Sequence, residues 1–215
     1  MSSANIESLK LGTGLSDLTD SEFLKLAEYI KNNYGISISV QKKQLVSARL
    51  ANALAQNGFK SYTDFIDKLL SDKSGQLAAM LVNKITTNHT YFMREKEHFV
   101  FFRKEVLPYL EKNVIDRDLR IWCAACSTGE ESYTLAIILS EYFGSKMLFW
   151  DTRVLATDIS EQVLKTAAAG IYSADKLSVL PPEWVSKYFI KISHDKYRVV
   201  DNIKNNVIYR KFNLV

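Results

Sequence analysis

Arg120-Ile-Trp-Cys-Ala-Ala-Cys-Ser-Thr-Gly-Glu-Glu-Ser-Tyr-Thr-Leu-Ala136 is the stretch on which the reading of this chain turns. Leu119 to Ala125 reads as a buried strand, Cys126 to Gly129 as a tight turn of small residues, and a helix starts near Glu130. In a parallel α/β sheet, ligands bind where a strand's carboxyl end passes into the next helix, because backbone N–H groups point outward there. Ser127 and Thr128 are small and Gly129 can take a positive φ, so a flat ligand can approach the backbone closely. Glu130 and Glu131 suit the start of a helix but would repel a pyrophosphate. The turn therefore speaks against a dinucleotide cradle and for a ligand offering hydroxyls or a cationic centre. An ordinary strand–turn–helix whose acids merely start the helix fits the same residues equally well. One glycine without G-x-G-x-x-G is a weak signal, so the neighbouring segments decide.

The chain has 215 residues, 47% hydrophobic and 24% charged, ordinary values for one large or two small globular domains. Lys plus Arg at 28 against Asp plus Glu at 24 leaves +4, too mild to imply a nucleic-acid partner. The apolar runs fall far short of a membrane span and the N-terminus lacks a basic-then-apolar signal pattern, so no membrane insertion is expected. Cys123 and Cys126 are three apart, but no second pair and no His cluster accompany them, and no metal site is expected. Strand alternation would point the two thiols opposite ways, as small core residues in a reducing cytosol.

Four short helices are expected before the central stretch. Thr19-Asp-Ser-Glu22 has the type and spacing of a capping box, opening a helix with Phe23, Leu26, Ala27 and Ile30 on one stripe and a stop near Gly35. The second runs from about Val40 to Asn57 with Val46, Leu50 and Leu54 inward. The third starts at Ser61 and carries Phe65, Ile66, Leu69 and Leu70. The fourth follows Gly75 and buries Leu77, Met80 and Leu81. Together they form a small all-α bundle. Lys84 to Glu95 is too β-branched and polar for a helix and too aromatic for a plain linker. On its own it reads as a connector whose aromatics pack on the next helix, which carries Phe99, Phe102, Val106 and Leu110 and ends at Pro108 to Leu110. Downstream, Glu131 to Phe143 is a helix, and Arg153-Val-Leu-Ala-Thr-Asp-Ile159 is a second buried strand. Asp158, at its tip and 29 positions beyond Gly129, can accept hydrogen bonds from both hydroxyls of a ribose. It can equally cap the helix starting near Ser160. Short turns are expected over Ile171 to Tyr188, and two strands, Tyr197–Val200 and Asn206–Phe212, flank a polar link. S-adenosylmethionine (SAM), with a ribose, an amino group and a sulfonium, fits the ligand that the turn and Asp158 describe.

Taken together, these segments resemble the chemotaxis receptor methyltransferase family (CheR type), which methylates glutamate side chains using SAM. The likeness is carried by Thr-Thr-Asn-His-Thr-Tyr-Phe-Met-Arg-Glu (86–95), Ala-Cys-Ser-Thr-Gly-Glu-Glu-Ser-Tyr (125–133), Ala-Thr-Asp-Ile-Ser (156–160), Gly-Ile-Tyr (170–172) and Asn213-Leu214. It also shows in the helical lead, at Gly35-Ile36 and Leu45-Val46-x-x-Arg49-Leu50. The fold this implies is α/β: a small N-terminal all-α helical domain followed by an incomplete Rossmann-like SAM-dependent methyltransferase domain. Residues 1–83 would be the receptor-docking helical domain, 84–96 a linker contributing to the cofactor site, and 97–215 the SAM-binding domain.

By the same resemblance, Asn88, Thr90 and Arg94 fall where the family holds the methionine part of SAM, Arg94 lying nearest the chemistry. Glu131 matches a carboxylate that contacts the cofactor, Asp158 the ribose-binding acid, and Asn213 and Leu214 the pair flanking the adenine. The implied product is S-adenosylhomocysteine. The implied protein substrate is the set of cytoplasmic methylation helices of chemoreceptors. Two departures stand out. Ser132 replaces a frequent Pro, and the second helix, Arg49-Leu-Ala-Asn-Ala-Leu-Ala-Gln-Asn57, has only Lys42, Lys43, Arg49 and Lys60 as basic residues nearby, which weakens its pull on an acidic receptor. The family's SAM domain continues past the Asn-Leu pair, with a Tyr tied to catalysis and, in some members, a β-subdomain that binds a receptor tail. The expectation is thus a C-terminally truncated chain, or one whose sheet a missing segment or partner completes, with one edge of the central 119–125 strand left unpaired. A non-catalytic SAM- or receptor-binding module is the alternative.

Overall fold

The computed structural model describes residues 15–86 and 89–215. The chain forms two compact units, the helical lead up to Thr87 and the segment Asn88–Leu214.

In the helical unit, α1 (Asp20–Tyr34) opens with the anticipated box. Thr19 Oγ1 accepts from the Glu22 N–H at 3.2 Å, and the Glu22 carboxylate accepts from the Thr19 N–H at 2.9 Å. Gly35, with φ 70, closes the helix. A single tight turn, Val40–Lys42, leads into α2 (Lys43–Gln56), followed by α3 (Tyr62–Ser71) and α4 (Gln76–Ile85). Phe23, Leu26, Ile30, Val46, Leu50, Leu54, Phe65 and Leu81 make the core. Leu70, expected inward, is 65% exposed, because Phe65, Ile66 and Leu69 already fill the buried stripe of a helix that ends one residue later. Leu77 and Met80 are only partly buried. The Arg49 Nη1 donates to the carbonyls of Ile85 (3.1 Å) and Thr86 (3.3 Å), where α4 runs out of internal donors.

The second unit begins with α5 (Lys96–Phe101), which does not end at Pro108. It passes through a widened turn, Phe102–Val106, into α6 (Leu107–Asn113). The Leu107 N–H reaches back five residues to the Phe102 carbonyl. That widening absorbs the missing N–H and the bulk of Pro108, which falls in the first turn of α6. Next come β1 (Ile121–Ala124), α7 (Glu130–Phe143), β2 (Val154–Asp158), α8 (Glu161–Ala169), β3 (Ile171–Ser173), α9 (Ala174–Leu177), α10 (Pro182–Tyr188), β4 (Phe189–Lys191), β5 (Lys196–Val199), α11 (Asp201–Lys204) and β6 (Val207–Lys211).

Three strands form a parallel sheet in the order β1-β2-β6, with Cys123 opposite Ala156 and Asp158 opposite Lys211. The centre of this sheet is β2, and β1 is at its edge, paired on one side only among the described residues, as expected for the 119–125 strand. The buried Val154 and Ala156 explain this: β2 alone is paired on both sides, and the longest apolar helix, α7, packs over it. A second sheet, antiparallel and ordered β3-β5-β4, lies within the chain between α8 and β6, where only isolated turns and a strand were expected. The polar link before β6 is the one-turn helix α11. No described helix is long and apolar enough to cross a membrane.

Candidate methyltransferase site

Parallel pairing places the carboxyl ends of β1, β2 and β6 along one rim of the sheet. The chain leaves β1 at Ala124, and Ala125 (φ 55) and Ser127 (φ 50) then adopt left-handed conformations before Gly129 (φ 93). Such strain persists only where the surroundings hold it. Here the Cys126 N–H donates to the Thr157 carbonyl and the Ser127 N–H to Asp158 Oδ2, both at 2.9 Å. Asp158 Oδ1 accepts from the Ser160 N–H at 2.9 Å, and the Asp158 carbonyl accepts from the Phe212 N–H at 3.0 Å. The turn and the start of α8 therefore meet at one buried carboxylate, and the exit of β6 at the backbone carbonyl of the same residue. Ser160, not Asp158, caps α8, its Oγ accepting from the Val163 N–H at 3.3 Å.

Gly129 is required for two reasons. Its φ disfavours a side chain, and a Cβ there would lie 2.8 Å from Ala167 Cβ, 2.9 Å from the Tyr209 hydroxyl and 3.0 Å from the Tyr172 hydroxyl. Those tyrosines were absent from the sequence-derived site. The Tyr172 hydroxyl donates to the Thr128 carbonyl at 2.7 Å, and the Tyr209 hydroxyl lies 2.9 Å from Ser132 Oγ. The Gly-Ile-Tyr motif was legible, but its role was not, because Tyr172 reaches the turn from 44 residues away. Trp122 was missed too: its indole N–H donates to Thr157 Oγ1 at 2.9 Å, and its ring meets Phe212 edge-on at 5.9 Å.

The paired acids separate. Glu130 is fully buried, accepting from Thr128 Oγ1 and from Lys176 Nζ, each at 2.6 Å. Glu131 is exposed and borders a pocket of about 470 Å³ with Arg94 and His98 on its rim and Phe99, Phe102 and Leu135 as its floor. The Cys123 thiol donates to Glu131 Oε1 at 3.4 Å. Burial, reinforced by the Glu131 charge, raises the Cys123 pKa, and burial with the Asp158 charge pushes Cys126 up to about 12. Both stay neutral thiols, which rules out a thiolate nucleophile. The strand alternation expected to separate them does not reach Cys126, which lies beyond β1 after the left-handed Ala125, so both sit in one core.

The 89–95 segment is anchored by Phe92, fully buried edge-on against Tyr172 (4.9 Å) and Phe189 (5.7 Å), in the core that also takes Phe99 of the helix that follows. Met93 and Glu95, at φ 56 and 57, are left-handed, and the Met93 N–H donates to Thr134 Oγ1 at 3.4 Å. Arg94 Nη1 donates to the His89 carbonyl at 3.0 Å, and Arg94 lines the same pocket as Glu131. Thr90 is half-buried, Asn213 half-buried and Leu214 exposed; Asn88 lies outside the described residues. Arg94 and Glu131 thus share one pocket, Asp158 and Asn213 share the strand rim, and the 125–129 turn joins the two.

Residues 88–215 match the family model described as CheR methyltransferase, SAM binding domain, and residues 21–86 match CheR methyltransferase, all-alpha domain. The chain belongs to the CheR methyltransferase family. A chemotaxis protein methyltransferase of Borreliella burgdorferi is 38% identical over 202 residues, 93% of this chain and 71% of that protein. The chemotaxis protein methyltransferase of Escherichia coli is 32% identical over 92% of this chain and 68% of its own length, and chemotaxis protein methyltransferase 1 of Pseudomonas aeruginosa is 32% identical over 91% and 72%. The two units of this CheR-family chain accordingly carry an all-α domain and a SAM-binding methyltransferase domain, with SAM as methyl donor.

Proposed function

We propose that this CheR-family enzyme transfers the methyl group of SAM to glutamate side chains on the cytoplasmic methylation helices of chemotaxis receptors, the covalent step of sensory adaptation. The convergence of Glu131 and Arg94 on one pocket, with Glu131 following directly on the turn whose Ser127 N–H donates to Asp158, carries the reading. The residues suit the cofactor: an exposed carboxylate for an ammonium, a buried carboxylate of the kind that accepts from ribose hydroxyls, and no phosphate-binding cation in the turn.

In this reading Asp158 holds the ribose, Glu131 the amino group, Thr90 and Asn88 the methionine portion, and Asn213 and Leu214 flank the adenine. SAM supplies an electrophilic methyl on a sulfonium. Arg94 pairs with the substrate carboxylate and points one oxygen at that carbon. The oxygen's electron pair forms the new C–O bond, and the electrons of the breaking C–S bond return to sulfur. The products are a methyl ester and S-adenosylhomocysteine. No general base is needed, since a glutamate is already ionised at neutral pH, so the protein contributes alignment and exclusion of water.

Residues 1–83 are assigned to receptor docking, 84–96 to the cofactor site, and 97–215 to SAM binding, all in the cytoplasm. Of the basic residues near the docking helix, Arg49 is engaged at the end of α4 and Lys43 with Asp20 at 2.6 Å, so charge attraction to an acidic receptor helix is weak and shape carries more of the recognition. The test is a methyl-transfer assay on receptor cytoplasmic fragments, read by mass spectrometry of tryptic peptides. Methyl esters on glutamate support the assignment; SAM binding measured by titration without any ester on the fragments would overturn the substrate.

A further inference from the structure

Tyr172 touches both halves of the site just described, and does so through two different parts of its side chain. Its hydroxyl donates to the carbonyl of Thr128 in the turn at 2.7 Å. Its ring packs edge-on against Phe92, centroids 4.9 Å apart, and Phe92 is the one fully buried side chain of the 89–95 segment that carries Thr90 and Arg94. Tyr172 itself is 3% exposed, and its hydroxyl stands 3.0 Å from where a Cβ on Gly129 would be. The turn and the Arg94 segment both hold left-handed residues, at Ala125 and Ser127 and at Met93 and Glu95, so neither keeps its shape without outside ties.

From these contacts we infer that Tyr172 is a positioning residue for methyl transfer, clamping the Gly129 turn to the Thr90–Arg94 segment so that the methionyl and ribose halves of the site stay in register. Tyr172 does not itself touch the reacting atoms. Burial, with Tyr209 and Glu130 nearby, holds the phenol well above its usual pKa, so the hydroxyl remains a donor throughout the working range. The surroundings reinforce the clamp. Lys176, four residues on, pairs with Glu130 at the start of α7, so the β3–α9 segment grips the turn on both sides of Gly129. The inference rests on the cofactor assignment above.

The test compares a ligand that spans both halves with one that fills only the ribose half. S-adenosylhomocysteine and adenosine are titrated into the full chain, its Tyr172→Phe variant and its Asp158→Ala variant below their melting temperatures. Losing one buried hydrogen bond that fixes register should weaken S-adenosylhomocysteine about tenfold in Tyr172→Phe while adenosine changes by less than about twofold. Phe92→Leu, which keeps an apolar side chain but removes the ring contact, should show the same split and serves if Tyr172→Phe folds poorly. Equal losses for the two ligands, or no loss for S-adenosylhomocysteine, would refute the clamp. Asp158→Ala should weaken both ligands together. If it weakens neither, the cofactor assignment has failed rather than the clamp.

Discussion

Glu130 lies wholly buried between Thr128 and Lys176, whereas Glu131, one residue on, faces the pocket beside Arg94. Helical geometry turns successive side chains by about 100°, so adjacent acids at a helix start cannot share a role. Glu130→Ala should lower stability by on the order of 2 kcal/mol, since it strips a half-buried hydroxyl and an ammonium of their acceptor, with part of that recovered because Lys176 can turn to water. Glu131→Gln should leave the melting temperature nearly unchanged and weaken SAM about tenfold by removing the charge opposite its amino group. Thermal melting and calorimetric titration of both variants separate the two, and a reversed pattern would exchange their roles. Asp158→Ala is the intermediate case. It should weaken SAM at least tenfold, and it should also destabilise, because the Ser127 and Ser160 N–H groups lose their acceptor. Gly129→Ala should fail on both counts, its Cβ having no room beside Ala167 and the two tyrosine hydroxyls.

The helices bear out the patterning from which they were read most fully where a local rule governed them. The Thr19–Glu22 box formed as spaced, and Thr63 Oγ1 adds a bond to Glu22 at 2.8 Å. Partial burial pulls the Glu22 carboxyl upward, but the bonds from Thr19 and Thr63 outweigh it and leave its pKa below the usual glutamate value. A depressed folded pKa stabilises above the unfolded value and is lost as pH falls through the folded one. Thr19→Ala should therefore cost about 1 kcal/mol near neutral pH and progressively less in acid, as urea midpoints at about pH 6 and about pH 3 would show. A loss that is the same at both values would mean that the box is not ionised as described. Where contacts are remote, the sequence was silent. The β1–turn–α7 unit and the Asp158 tip were legible because strand, turn and cap signals are local. The antiparallel sheet was not, because β3 and β4 are only three residues each, too short to show a period, and β3 finds its partner β5 remotely, Ser173 opposite Lys196 and Ile171 opposite Arg198. Pro108 misled for a related reason: it stops a regular helix, but five preceding residues were free to widen the turn around it. Within the site, the charged candidates could be named from their motifs, while Tyr172, Tyr209 and Trp122 hold the turn and β2 in place through partners far away in the chain, at Thr128, Ser132 and Thr157.

At the scale of the whole molecule, the chain keeps two separate cores, one built from Phe23, Leu50 and Phe65 and the other from Phe92, Tyr133 and Val154. Each unit can therefore respond to a ligand through its own cooperative network. Every candidate cofactor residue that is described belongs to the Asn88–Leu214 unit. A ligand that binds only the folded form of a unit stabilises it by about 2.7 kcal/mol at a hundred times its dissociation constant, and the opening reactions of that unit slow accordingly. Saturating SAM should thus slow amide exchange in the 125–131 turn, at the end of β2 and in Phe212–Leu214, where backbone N–H groups already converge on Asp158. Exchange in α1 to α4 should stay within error of the free protein, because their hydrogen bonds break through fluctuations of a different core. Mass-spectrometric exchange on peptides from both units measures this directly. Slowed exchange spread evenly over both units would mean that the cofactor is felt by the chain as one cooperative body, and the division of labour between a docking unit and a catalytic unit would have to be abandoned.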